Sequence, residues 1–293
     1  MLRTPLSSRN TGYVFAFISA ALFGSISTLA KPSVESTDPL LLAAIVSAIA
    51  SIAFTPLTIR RKSPISKIDM KLIIPIAVLG AIIAPSLYFV GLKTAAASDA
   101  AILSNSEIVF TVLIAIIAFK ERLRPLGYAS MAIVMIGVVL ITTKFDITNL
   151  AIDATNPGTI LIVLTMLCWA VDNNLSRIAT RTVDVSRLVH LKSAIGAAAI
   201  TGIVLALGIP LEVPQERLFH IILLGVVGFA APMLLFYLAL KSIGTVRTIL
   251  VFSTSSIFGV IYAAAFLGEH LGTHQIIALC LMLAGLFLLK RSD

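Results

Sequence analysis

The chain has 293 residues, of which 58% are hydrophobic and 12% charged, with a mean hydropathy of +1.04 and a formal charge of +8. A soluble fold of this length cannot cover so much apolar surface, so a water-soluble globular domain is excluded.

Helical stretches of about twenty apolar residues, each long enough to cross a hydrocarbon core about 30 Å thick, run through the whole sequence. The first, 12–30, follows Arg3 and Arg9 and ends Ser27-Thr28-Leu29-Ala30. That ending is a poor cleavage motif, and removal would break the repeat described below, so it reads as a span and not a signal peptide. Spans at 39–59 and 72–91 carry no charge, 100–119 carries Glu107, and 125–143 is again uncharged. The second half continues with 154–176 carrying Asp172, 188–209 carrying Lys192, and uncharged spans at 218–240, 248–268 and 271–289. The expected fold is therefore an all-α integral membrane protein of ten transmembrane helices. Cys168 and Cys280 both fall within apolar spans, which speaks against a structural disulfide.

Loop charge sets the expected orientation. Seventeen of the 22 Lys and Arg collect on one side, among them Arg60, Arg61, Lys62, Lys67, Lys71, Lys120, Arg122, Arg124, Arg177, Arg181 and Arg187. The other side has only Lys31, Lys93, Lys144 and Arg217, beside Glu35, Asp38, Asp146, Asp153, Glu212 and Glu216. By the positive-inside rule both termini are expected in the cytoplasm, in a cytoplasmic membrane. The asymmetry explains the net charge, so lipid headgroups and not nucleic acid are the expected partners of basic loops.

The second five spans repeat the first five. Gly12-Tyr13-Val14-Phe15 matches Gly158-Thr159-Ile160-Leu161, which pairs Ser19 with Thr165, Phe23 with Trp169 and Ser27 with Asn173. Ala84-Pro85 in span three matches Ala231-Pro232 in span eight, and Glu121-Arg122-Leu123 matches Glu269-His270-Leu271. Paired prolines and paired Glu-x-Leu turns at nearly constant offset are harder to obtain by chance than apolar matches. The expected organisation is a first repeat over 12–143, an external linker over 144–156 and a second repeat over 157–290. An odd number of spans per repeat inverts one half relative to the other, an arrangement found in secondary transporters.

With these turns, each preceding a span with a late Gly (Gly137, Gly285), the chain resembles the drug/metabolite transporter superfamily, and within it the members built from two EamA-type repeats. The run Cys168-Trp169-Ala170-Val171-Asp172-Asn173-Asn174 is similar to a tryptophan and paired-asparagine segment of one subgroup. Many members carry Glu-Pro in span four; here Ile108 follows Glu107, and Ser256 stands at the matching position of span nine. The resemblance implies a ten-helix carrier of small organic metabolites, often an exporter, in a family handling amino acids, sugars, nucleotide-linked sugars and drugs.

The residues themselves also point to a pathway. Pro85 and Pro232 each remove a backbone hydrogen bond at corresponding places, marking either a binding region or a plain structural kink. Polar faces at helical spacing run through span one (Ser19, Phe23, Ser27), span four (Ala100, Ser104, Glu107, Thr111), span six (Thr165, Trp169, Asp172, Ser176) and span nine (Thr248, Phe252, Ser255, Gly259). The expected substrate-binding set is Ser19, Phe23, Tyr88, Ser104, Glu107, Trp169, Asp172, Asn173, Phe236 and Ser255. Small-residue helix packing is the competing explanation, and it accounts poorly for Glu107, Trp169 and Asp172.

Glu107 lies near mid-span, so a cavity, partner or ligand must compensate its lost hydration; it reads as an amine ligand or coupling proton carrier, or else as a protonated structural carboxyl. Asp172 and Lys192 sit about 7 Å inside the same boundary on consecutive helices, deep enough to pair unless Lys192 snorkels to the headgroups. Ala43, Ser47, Ser51 and Thr55, and Ala194, Ala198, Gly202 and Ala206, read as packing stripes. His270 and His274 lack the setting of a metal site, and no cofactor is expected. The expected function is a secondary transporter exporting small metabolites such as amino acids by alternating access. A channel or other non-carrier membrane protein is the alternative. An intramembrane enzyme fits less well, because no zinc helix, P-loop, nucleophile turn or second membrane carboxylate opposite Glu107 is present.

Overall fold

In the absence of water, the backbone amides of a membrane-crossing segment must be satisfied within the protein, and among the described residues of the computed structural model every regular element is helical. The structure describes residues 6–59, 65–119, 124–143, 157–243, 248 and 251–292. The linker at 144–156, the Glu121-Arg122-Leu123 turn and Arg60 to Lys62 lie outside the described residues. Seven helical segments there are long and apolar enough to cross a bilayer, and shorter apolar helices at Pro125–Ile141, Ser255–Leu267 and Thr273–Leu288 supply the fifth, ninth and tenth spans.

Helix boundaries follow local chemistry. Pro39, Pro125 and Pro157 open the second, fifth and sixth spans, where a missing N–H costs nothing. Ser66 and Asp69 form a reciprocal cap at the start of span three, the Ser66 hydroxyl accepting from the Asp69 N–H at 3.0 Å and an Asp69 carboxylate oxygen from the Ser66 N–H at 2.9 Å. Asp184 caps span seven by accepting from the Ser186 N–H at 3.1 Å. Gly268, at φ +66, ends span nine in the left-handed conformation.

Packing is reciprocal between the halves. Span one lies against spans eight and nine, and span six against spans three and four; spans two and seven pack together, as do five and ten. Exchanging the halves maps this pattern onto itself, as two inverted five-helix repeats require. The Glu-x-Leu turn of the second repeat has a visible task. Glu269 accepts from the backbone N–H groups of Ala97 (2.8 Å) and Ser98 (2.9 Å) and from the Ser98 hydroxyl (2.5 Å), capping the start of span four. Beside it Gln275 donates to Ser98 Oγ at 3.0 Å and Asp99 Oδ1 at 2.5 Å. Lys31 donates to the carbonyls of Leu92 (2.9 Å) and Ala95 (2.8 Å) at the same end, so spans one, three, four, nine and ten are tied together away from the termini.

One packing expectation is corrected. Ala198, Gly202 and Ala206 of span seven face outward, and a Cβ at Gly202 would meet nothing within 4 Å. The inward face is instead Lys192, Gly196, Ile200 and Val204. Both stripes have the same four-residue period and small residues are as comfortable against lipid as against helix, so helix rotation follows from where Lys192 finds its partner.

Candidate functional site

Both proline positions are built the same way. A π-helical turn, Val78–Ile83 in span three and Leu224–Ala230 in span eight, immediately precedes Ala84-Pro85 and Ala231-Pro232. The amides of Ala84 and Ala231 donate five residues back, to Leu79 and Val226, which widens the helix where the proline ring would strike the carbonyl four residues earlier. Side chains from the other half meet the loosened backbone. Ser19 donates to the Pro232 carbonyl at 2.7 Å, Thr165 to that of Ala84 at 3.3 Å, and the Trp169 indole N–H to that of Gly80 at 3.3 Å.

The fourth and ninth spans are broken as well. In span four the Ala97–Leu103 helix stops at Ser104-Asn105 and Ser106–Phe119 begins, with tight three-residue bonds from Asn105 N–H to Ile102 O (3.2 Å) and Glu107 N–H to Ser104 O (3.2 Å). The Ser104 and Ser106 hydroxyls donate to the carbonyls of Ala101 and Leu103, each at 2.7 Å. Span nine turns at Ser253-Thr254, where the Thr254 hydroxyl donates to Val251 O at 2.7 Å. Asn105 Nδ2 reaches Ser256 Oγ at 2.9 Å and links the two breaks. Serine and threonine hydroxyls thus accompany both breaks without a proline at Ile108 or Ser256, by offering the backbone carbonyls local alternatives to the helical ladder. Glu107 consequently stands in the first turn of a helix that begins inside the membrane, facing the partial positive charge of its N-terminus.

These irregular segments surround a cavity with about 560 Å³ of atom-free space, open solvent at its mouth included. Its charged and polar wall is Glu107, Asn173, Asp172, Lys192 and Tyr237. Glu107 Oε1 accepts from Asn173 Nδ2 at 2.6 Å. Lys192 Nζ donates to Asp172 Oδ2 at 2.7 Å and lies 5.9 Å from the Tyr237 ring centroid, while Ser176 donates to the other Asp172 oxygen at 2.9 Å. Asp172 and Lys192 are each nearly inaccessible, at 2% exposure, so the pair is compensated inside the protein. Gly80 permits this: a Cβ there would collide with the Asp172 carboxylate.

The rest of the wall is aromatic. Phe23 contacts Trp169 (centroids 5.9 Å) and Phe252 (4.8 Å); Phe252 contacts Phe236 (4.7 Å), and Phe229 lies 6.5 Å from Trp169. Beyond Phe23 and away from the termini lies a smaller pocket, with Tyr88, Ser104 and Ser255 in its wall.

The structure thus brings Phe23, Glu107, Trp169, Asp172, Asn173 and Phe236 together at one cavity. Tyr88, Ser104 and Ser255 line the smaller pocket with Phe23, and Ser19 is fully buried against the span-eight kink and lines neither space. Pro232 touches the large cavity, whereas Pro85 lines neither. Gly80, Phe229, Met233, Tyr237 and Phe252 also line the cavity and are absent from the set expected from sequence. Phe252 carries a signal, since it falls on the span-nine face matching that of Glu107. Gly80 and Phe229 lie inside π-helical turns, whose rotation a 3.6-residue period misses.

The family model described as EamA-like transporter family matches the chain twice, over residues 10–143 and 156–291. A protein of Methanothermobacter thermautotrophicus called an uncharacterized transporter is 29% identical over 293 residues, covering 95% of this chain and 85% of that one. A crystal structure of another protein, 19% identical, aligns over 97% of this chain and 98% of that one with a TM-score of 0.68, a likeness of fold alone.

Proposed function

The chain belongs to the EamA-like transporter family, and on that basis we propose that it is a secondary transporter exporting small organic metabolites by alternating access. The observation that carries this reading is the cavity between the two inverted repeats, walled by residues of both halves and by both kinds of broken helix. Unwound segments at corresponding places of two repeats are where carriers hold substrate and where one repeat rocks against the other. The ties through Lys31 and Glu269 close the end away from the termini, which favours a state in which the cavity communicates with the terminal side. With the cationic loops on that side, this is a cytoplasm-facing state in the cell membrane. Glu107 serves as the coupling or substrate-binding charge, since a midplane carboxylate must be answered by a ligand, a proton or a partner.

Counterflow in proteoliposomes tests the reading. Protein loaded with an unlabelled member of a metabolite panel is expected to accumulate the labelled compound transiently above equilibrium. Simple equilibration at a rate that does not saturate points to a channel instead, and a chemically altered compound to an enzyme.

A further inference from the structure

The charge balance of the cavity narrows the ligand. Three ionisable carboxylate or ammonium groups line it among the described residues: Glu107, Asp172 and Lys192. Lys192 and Asp172 meet at 2.7 Å and neutralise one another, and the second Asp172 oxygen is engaged by Ser176. Glu107 is left with a neutral partner, the Asn173 amide at 2.6 Å, which orients the carboxyl group but supplies no positive charge to it. We propose that the cavity binds organic cations, amines carrying an aromatic or apolar body, in preference to amino acids and carboxylates; the proposal rests on the carrier reading above and names its substrate class.

Two features of the wall support the same class. An ammonium group set against Glu107 supplies the missing charge, and its flanking carbons meet the rings of Phe23, Trp169, Phe236 and Phe252, whose electron-rich faces attract a desolvated cation. The carboxylate of an amino acid has no equivalent welcome. Lys192, the one cation among the described lining residues, is 2% exposed and already committed to Asp172, so a second anion would lie uncompensated in the same space as Glu107.

Trp169 is the single tryptophan of the chain and stands in the cavity wall, so its emission reports on this site alone. Purified full-length protein in lipid nanodiscs is titrated with 2-phenylethylamine, phenylalanine and 3-phenylpropionate, three compounds with one ring and different charge. The amine is expected to change Trp169 emission saturably and to bind at least ~10-fold more tightly than either other probe, the cost of one uncompensated charge being of that order or larger. Glu107→Gln is expected to weaken the amine at least ~10-fold and to leave the carboxylate probe no weaker. Equal binding of phenylalanine or phenylpropionate, unchanged amine binding by Glu107→Gln, or no response to any probe in cooperatively unfolding protein overturns the proposal. The ligand series needs only the native protein, so a poorly folding variant does not spoil the test. Amine that binds but shows no counterflow refutes the carrier and leaves the ligand class standing. Counterflow of another compound without amine binding does the reverse.

Discussion

Phe23 and Trp169, which occupy matching positions of the two repeats, meet edge to face at the centre of the molecule with ring centroids 5.9 Å apart. Phe23 is the ring shared by the large cavity and the small pocket that holds Tyr88, Ser104 and Ser255. Truncating it joins the two spaces. Phe23→Ala is therefore expected to raise acrylamide quenching of Trp169 by about two-fold or more, as a partner ring worth ~0.5–1.5 kcal/mol beyond its area is lost. Quenching equal to that of the native protein contradicts the partition.

The Asp172–Lys192 pair is expected to show strong coupling. Asp172→Asn or Lys192→Met alone leaves a buried charge without its partner and is expected to cost about 3–5 kcal/mol. The double variant is expected to recover at least ~0.5–3 kcal/mol relative to the sum of the singles. Thermal unfolding of all four proteins in one detergent measures this, and additive losses exclude an energetic pair.

Gly80 and Gly202 should respond to alanine with opposite signs. Gly80→Ala drives a methyl group into the Asp172 carboxylate and is expected to destabilise by about 1–3 kcal/mol. Gly202→Ala meets open space on an exposed helix face and is expected to be neutral or to stabilise by up to ~1 kcal/mol. Comparable losses of melting temperature in both variants rule out the close approach as the cause.

Glu107→Gln keeps shape and the Asn173 contact but abolishes titration at this site. Asp172, Lys192 and Tyr237 are the other titratable groups facing the cavity. If Glu107 carries the coupling charge, the variant is expected to lose most of the pH dependence of transport, whereas Asn173→Ala shifts that dependence without removing it. Unchanged rate, affinity and pH profile in Glu107→Gln, with Glu107→Ala merely failing to express, identify a structural carboxyl.

Topology provides an independent check. Reporter or cysteine tagging is expected to find both termini and the loop from Arg60 to Lys71 in the cytoplasm, because seventeen of 22 cationic residues lie on that side. A periplasmic or extracellular signal from either terminus would sink the ten-span orientation.

The sequence by itself determined the succession of apolar spans, their pairing into two repeats and the common level of Asp172 and Lys192. These depend on local quantities: apolar run length, loop charge and the 1.5 Å rise that sets Asp172 and Lys192 level. The tertiary structure decided which face of each helix turns inward. Ala198 and Gly202 share their period with Lys192 and Gly196, and only the partner across the interface selected between the two faces. It also decided where helices stop being α-helical. The π turns before Pro85 and Pro232 re-aim Gly80 and Phe229, and the serine, threonine and asparagine breaks at Ser104-Asn105 and Ser253-Thr254 place Glu107 at a helix start, where a regular helix would have held it in mid-run. The two π turns are met by side chains of the opposite repeat, Ser19 on Pro232 and Thr165 on Ala84, contacts that form only when the two halves pack together.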